Sequence, residues 1–123
     1  MPYQKIVQEF GKRLGISHFE ADIAGPVTFE LQDLGALTLE LTADERELLL
    51  TLSLPLSFHD SEKLLTALKM CHPDRIRPFP LACGLHREAL LLVSRRSLAG
   101  SSAAGIENQA IFLLDCAKEL GIQ

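Results

Sequence analysis

The chain has 123 residues and 13.6 kDa, with 12 Lys and Arg against 16 Asp and Glu for a formal charge of −4. That length predicts one domain over residues 1–123, and a hydrophobic share of 47% is too high for a disordered chain. A pI near 5.5 offers no basic face for neutralising phosphates, so no nucleic-acid partner is expected. The longest apolar runs, Ala89–Val93 and Ala110–Leu114, are five residues each. A bilayer span needs ~20, and no basic-then-apolar leader opens the sequence, so a soluble cytosolic domain is the expectation.

Tyr3, Ile6, Val7, Phe10 and Leu14 recur at helical spacing, with Lys5, Gln8, Glu9 and Lys12 between them. This predicts an amphipathic helix entered at Pro2 and ended at Gly15. A loop follows over 16–25. From Pro26 the period becomes two: Val27, Phe29 and Leu31 alternate with polar residues, and so do Leu37, Leu39 and Leu41 beyond Asp33-Leu34-Gly35. Two such runs across a short glycine-containing turn read as a hairpin. After Ala43-Asp44-Glu45 a third run puts Leu48, Leu50, Leu52 and Leu54 on one face and Glu47, Leu49, Thr51 and Ser53 on the other. Leucine favours helices, but strict alternation and Pro55 decide for a three-stranded antiparallel meander.

Asp60 or Ser61 can cap a second helix carrying Leu64, Leu65, Leu68 and Cys71, stopped by Pro73. Prolines at 73, 78 and 80 mark a connector over 71–80. Phe79–Cys83 and Glu88–Arg95 then predict another strand pair turning near Gly84. The run Ala89–Val93 is apolar on both faces and must be covered on both, by helices on one side and by a partner on the other. A last helix carries Ile106, Ala110, Leu113, Ala117 and Leu120, widened by Ile111 and Leu114, and ends at Gly121. The order α-βββ-α-ββ(β)-α predicts an α+β fold: three helices and an antiparallel sheet of five or six strands.

No catalytic or cofactor signature stands out. Cys71, Cys83 and Cys116 are an odd set without export signals, which disfavours disulfides. Only Cys83 and His86 have useful metal-ligand spacing, too few for a zinc site, so no metal or other cofactor is expected. Nothing marks an activated thiolate. Gly100-Ser101-Ser102-Ala103-Ala104-Gly105 lacks the Lys-Ser/Thr of a phosphate loop and reads as a helix entry. Arg75, Arg77, Arg87, Arg95 and Arg96 read as a solvated face. Glu30 and Glu40 could oppose each other across the first hairpin, but no pocket accompanies them. What remains is apolar surplus: 24 leucines in a domain with few interior positions. That excess predicts self-association, grooves for another chain, or both.

The chain resembles the class I chaperones of bacterial type III secretion over nearly its whole length. The resemblance rests on Gln8-Glu9-Phe10-Gly11-Lys12-Arg13-Leu14-Gly15-Ile16, on Gly35-Ala36-Leu37-Thr38-Leu39-Glu40, on Phe79-Pro80-Leu81-Ala82-Cys83-Gly84 and on Leu90-Leu91-Leu92-Val93-Ser94. The last stretch is most similar to the subgroup that chaperones the secretion gatekeeper protein, whose members work as heterodimers. The resemblance implies a cytoplasmic, dimeric, ATP-independent bacterial protein without enzymatic activity. It would bind a non-globular segment of a secreted effector or gatekeeper, and pair as a homodimer or with a related chaperone. Carried over, it places the dimer interface at Leu64, Leu65, Leu68, Cys71, Leu90 and Leu92. The substrate segment falls on Phe10, Leu14, Ile16, Phe29, Leu37, Leu39 and Leu49. An extended segment adds a strand to a sheet edge while its apolar side chains fill pockets. Leu49 points away from the row of Leu48 and Leu50, and is expected to be exposed or covered by a partner. The alternative is a regulatory adaptor or anti-activator on the same fold, binding a cytosolic regulator.

Overall fold

The computed structural model of the chain describes residues 3–14, 25–31, 34–55, 61–72 and 77–121. Its elements run α1 (Tyr3–Arg13), β1 (Val27–Leu31), β2 (Gly35–Leu41), β3 (Glu47–Pro55), α2 (Ser61–Met70), β4 (Ala82–His86), β5 (Ala89–Ser97) and α3 (Ala103–Glu119). The five strands form one antiparallel sheet in the order β1-β2-β3-β5-β4. The expected α+β architecture is therefore present. Ile16, Asp60, Pro73 and Arg75 lie outside the described residues.

The central strand β3 explains why period two wins over leucine's helical preference. Leu48, Leu50, Leu52 and Leu54 all project inward and are fully buried, flanked by Leu37 and Leu39 of β2 and by Leu90 and Leu92 of β5. Each such side chain contributes roughly 1.5–3 kcal/mol by leaving water, far more than the small propensity difference between helix and strand. α3 packs on β3 and β5 and against α1. Phe10 of α1 meets Phe29 of β1 edge to face, with ring centroids 5.4 Å apart. The Tyr3 hydroxyl reaches the carbonyl oxygens of Gly25 at 3.0 Å and Leu39 at 3.1 Å, which ties α1 to the sheet.

Local chemistry sets the joints. Gly35 opens β2 because the backbone passes so close that a Cβ there would stand 2.0 Å from the Ser53 carbonyl oxygen. The tight turn before β3 is held by Asp44, whose carboxylate accepts from the Thr42 hydroxyl and, at 3.1 Å, from the Arg46 N–H. These bonds hold the Asp44 carboxyl below its ordinary value. Ser102 caps α3 by accepting from the Gly105 N–H at 3.1 Å, as the helix-entry reading requires.

Two expectations need correction. The second hairpin turns at Arg87-Glu88, with Arg87 at φ 56°, and Gly84 lies inside β4 opposite Leu91. The later turn places Cys83 and Leu85 across from Leu92 and Leu90, on the same face of the sheet. β4 starts at Ala82, because Pro78 and Pro80 lack ladder donors, and Phe79 instead meets Phe112 of α3 at 5.5 Å. Glu30 and Glu40 do not face each other: Glu30 pairs with Ala36 and Glu40 with Leu49, while Thr28 and Thr38 oppose one another.

Candidate functional site

α2 divides its apolar residues between two faces. Ala67 and Met70 are buried, Leu64 and Cys71 are half-buried beside them, and Leu65 and Leu68 are 53% and 54% exposed. A helix with leucines on its open face is unusual for a chain that folds for itself alone. The Cys71 thiol lies near enough to Cys83 to be shifted by it, so the end of α2 abuts edge strand β4. Burial, then Cys83, pushes that thiol up to about 12, which makes it a packing group and not a nucleophile. β4 adds Leu85, 50% exposed. The sequence reading missed Leu85 because placing the turn at Gly84 hid its register with Leu90.

The expected interface residues thus separate. Leu65 and Leu68 are available at the surface and Leu64 and Cys71 in part. Leu90 and Leu92 are sealed under the helices, because the alternation of β5 sends Ala89, Leu91, Val93 and Arg95 to the opposite face. On that opposite face the described strand residues are half-buried or exposed. Leu49, half-buried there between Glu40 and Arg95, lines a depression of about 280 Å³ with Pro80, Leu81, Ala82 and Val93. Arg95 stands 3.7 Å from Glu47 at its rim.

The expected substrate positions separate in the same way. Phe10, Phe29, Leu37 and Leu39 are closed in the core, where α1 covers the first hairpin, so in this conformation no incoming segment reaches them. Leu14 at the end of α1 is 39% exposed, Leu49 is on the outer face, and Ile16 is outside the described residues. A second depression, about 590 Å³, opens at the β1–β2 turn among Leu31, Leu34, Ala36, Pro55 and Ala89, with Glu30 and Glu88 at its margin. β1 and β4 are the sheet edges, each with one side outside the ladder.

Among the described residues there is no group of three or more His, Cys, Asp or Glu side chains able to hold a metal ion. No described helix is long and apolar enough to cross a membrane. Open leucines, shallow apolar depressions and two sheet edges are the equipment of a protein that binds other chains. The family described as type III secretory system chaperone SycN matches residues 3–116, and the chain belongs to it: it is a type III secretion chaperone.

Solved structures share the fold. The Yersinia pestis type III secretion chaperone SycH, in complex with a stable fragment of YscM2, superposes with a TM-score of 0.71 at 20% identity, covering 96% of this chain and 98% of that one. The HopA1–SchA chaperone–effector complex gives 0.70 at 17%, with 96% and 91% covered. The heterodimeric ExoU–SpcU complex of Pseudomonas aeruginosa gives 0.63 at 16%, with 93% of each chain covered. No curated protein sequence matches the chain.

Proposed function

We propose that this chaperone binds a non-globular segment of a secreted effector or gatekeeper protein in the bacterial cytoplasm and keeps it secretion-competent without ATP or catalysis. It does so as one half of a dimer, with a second copy or a related chaperone as the other. The observation that carries this reading is the open leucine face of α2, Leu65 and Leu68, together with Leu85 on β4. Similar folds solved as complexes with a YscM2 fragment and with HopA1 support it. Subunit pairing is assigned to α2 and β4. The substrate segment is assigned to Leu14, Leu49, the two depressions and the edge of β1, where strand addition supplies main-chain bonds and the depressions take side chains. Ordering a disordered segment is costly, and a long wrapped contact offsets that cost.

Light scattering after size exclusion, on the chain alone and with the flanking secreted protein co-expressed, tests the proposal. The expected result is a dimer and a stable complex. Leu68→Glu should abolish pairing, and Leu49→Glu should weaken substrate binding while pairing persists. A wild-type monomer that captures no secreted protein would sink the reading. Substrate binding unchanged by Leu49→Glu would remove the outer face from the site.

A further inference from the structure

β4 begins where Ala82 pairs with Val93, and two positions further along the same register Pro80 would stand against Arg95. Pro80 has no N–H to give, so the ladder ends at Ala82. The depression beside Leu49 opens at this end of the ladder. It lies over Val93 and Arg95 of β5, between Leu49 of β3 and the chain Pro80-Leu81-Ala82 entering β4. Side chains from the enclosed side of the sheet bond the carbonyls of both Pro80 and Arg95. Ser94 Oγ donates to the Pro80 carbonyl at 2.5 Å, and Gln109 Nε2 donates to the Arg95 carbonyl at 3.2 Å and to Ser94 Oγ at 2.6 Å. Ser94 and Gln109 are buried, where an unmet polar group is costly. Counting donors and acceptors then fixes the direction of every bond. A carbonyl only accepts, so the one Ser94 proton goes to Pro80 and the Ser94 oxygen must accept from Gln109. The second amide proton of Gln109 goes to Arg95, and its amide oxygen accepts from Arg96 Nη1 at 3.4 Å. Glutamate at this position would have the same shape but no proton to give.

We propose that Ser94 and Gln109 are positioning residues for the depression beside Leu49. Working from the enclosed face, they fix the main chain at Pro80 and Arg95, and so set the width of the opening into which an apolar side chain of the substrate segment fits. The proposal rests on the reading of that depression as part of the substrate-segment site, and it names the buried residues that determine its shape. A gap held open in advance spares an incoming chain the cost of ordering its walls. Pro80 makes the device necessary, because a residue with an N–H there could extend the ladder and close this stretch of chain onto β5. Phe79, beside Pro80, meets Phe112 of α3 at 5.5 Å. Gln109 and Phe112 are about one turn apart on α3, so a single helix steadies the wall at two points, one of them through Ser94.

The test compares Ser94→Ala, Gln109→Glu and a core control, Ile106→Val, on the full chain. Gln109→Glu keeps the side-chain shape and leaves Arg96 an acceptor, but removes both donated protons. Methyl resonances of Leu49, Leu81 and Val93 should move in both network variants and hold in Ile106→Val, while those of Leu37 hold in all three. Unmoved depression methyls in the network variants overturn the proposal. Affinity for the co-expressed flanking secreted protein should fall about tenfold in Ser94→Ala and in Gln109→Glu, with pairing unchanged by light scattering. Equal weakening by Ile106→Val reports a general loss of stability and overturns the proposal. Wild-type affinity in both network variants, where Leu49→Glu weakens binding, also overturns it and leaves the surface reading standing. If instead Leu49→Glu binds as wild type while the methyls move, the reading of the depression as a binding site is what fails, and the positioning role in binding falls with it.

Discussion

The two halves of the helix-bearing side are finished differently. Beneath α1 and α3 the large side chains of β3 are fully enclosed, and the buried polar groups answer one another. Gln109 donates from Nε2 to Ser94 Oγ at 2.6 Å and to the Arg95 carbonyl at 3.2 Å, and Ser94 donates to the Pro80 carbonyl at 2.5 Å. Ser101 accepts from Arg96 Nε at 2.9 Å and donates to the Ser97 carbonyl at 2.6 Å. At the α2–β4 end, Leu65, Leu68 and Leu85 are about half open, and Arg77 holds buried N–H groups without acceptors. The same leucine-rich sequence built both. In the first region the chain supplies its own cover and the leucines stabilise the fold. In the second it does not, and the leucines stay about half open to solvent.

Two leucines of the same chemistry test that contrast. Leu52→Ala, at a fully buried central position, should cost roughly 2–5 kcal/mol through lost transfer energy and the cavity left behind. Leu68→Ala should change monomer stability by no more than about 0.5 kcal/mol, because its side chain is already half in water. Denaturant midpoints of the two variants, at protein concentrations where wild type is monomeric, provide the measurement. Equal losses would mean that α2 is part of the core and that the two regions do not differ.

A smaller effect probes the enclosed side through its cap. Ser102 accepts the Gly105 N–H, and the Arg96 guanidinium lies so near Gly105 that an added Cβ would stand 2.9 Å from Nη2. Ser102→Ala should therefore cost about 1 kcal/mol, the usual loss for a missing cap. Amide exchange should rise in the first turn of α3 without loosening α2. An equal rise in α2 would show that the two regions unfold as one unit.

Much of the architecture was legible because alternation is a strong signal. The row Leu48, Leu50, Leu52, Leu54 could sit on one face only as a strand, and Leu49 was placed outward by the same count. The family was legible too, since glycine placement and apolar spacing persist along nearly the whole chain. What the sequence could not separate was an apolar residue that faces the core from one that faces a partner. Phe10, Phe29, Leu37 and Leu39 carry the same hydrophobic label as Leu65 and Leu68, and only the helix packing over them decides. Leu90 and Leu92 lie in the core of the chain for a related reason. A strand apolar on both faces shows that two covers are needed, and parity alone does not say which residues meet the domain's own helices. Arg77 had no local signal, because its burial depends on α3, more than 25 residues later in the chain.

The smallest effect separates the two regions by pH. Tyr3, in the enclosed region, is raised above its ordinary 10.0 by burial and then by the charge of Glu40. Cys71, at the α2–β4 end, is raised from 9.0 to about 12 by burial and then by Cys83. Both groups are acids whose neutral form the fold prefers, so the unfolded chain loses these protons first as pH rises. The stability each contributes is complete below its unfolded value, and declines as pH climbs toward the folded one. Loss should begin near pH 9.0 through Cys71 and deepen beyond 10.0 through Tyr3. Cys71→Ala should remove the earlier part of the decline, and Tyr3→Phe the later part. The chain contains one tyrosine, so its ultraviolet ionisation curve reports Tyr3 directly. If pairing buries the α2–β4 end further, the partner-bound chain should shift only the Cys71 component upward, leaving the tyrosine curve where it was. Movement of both curves on pairing would mean that the partner also reaches the enclosed side, and that the contrast between the two regions ends when the dimer forms.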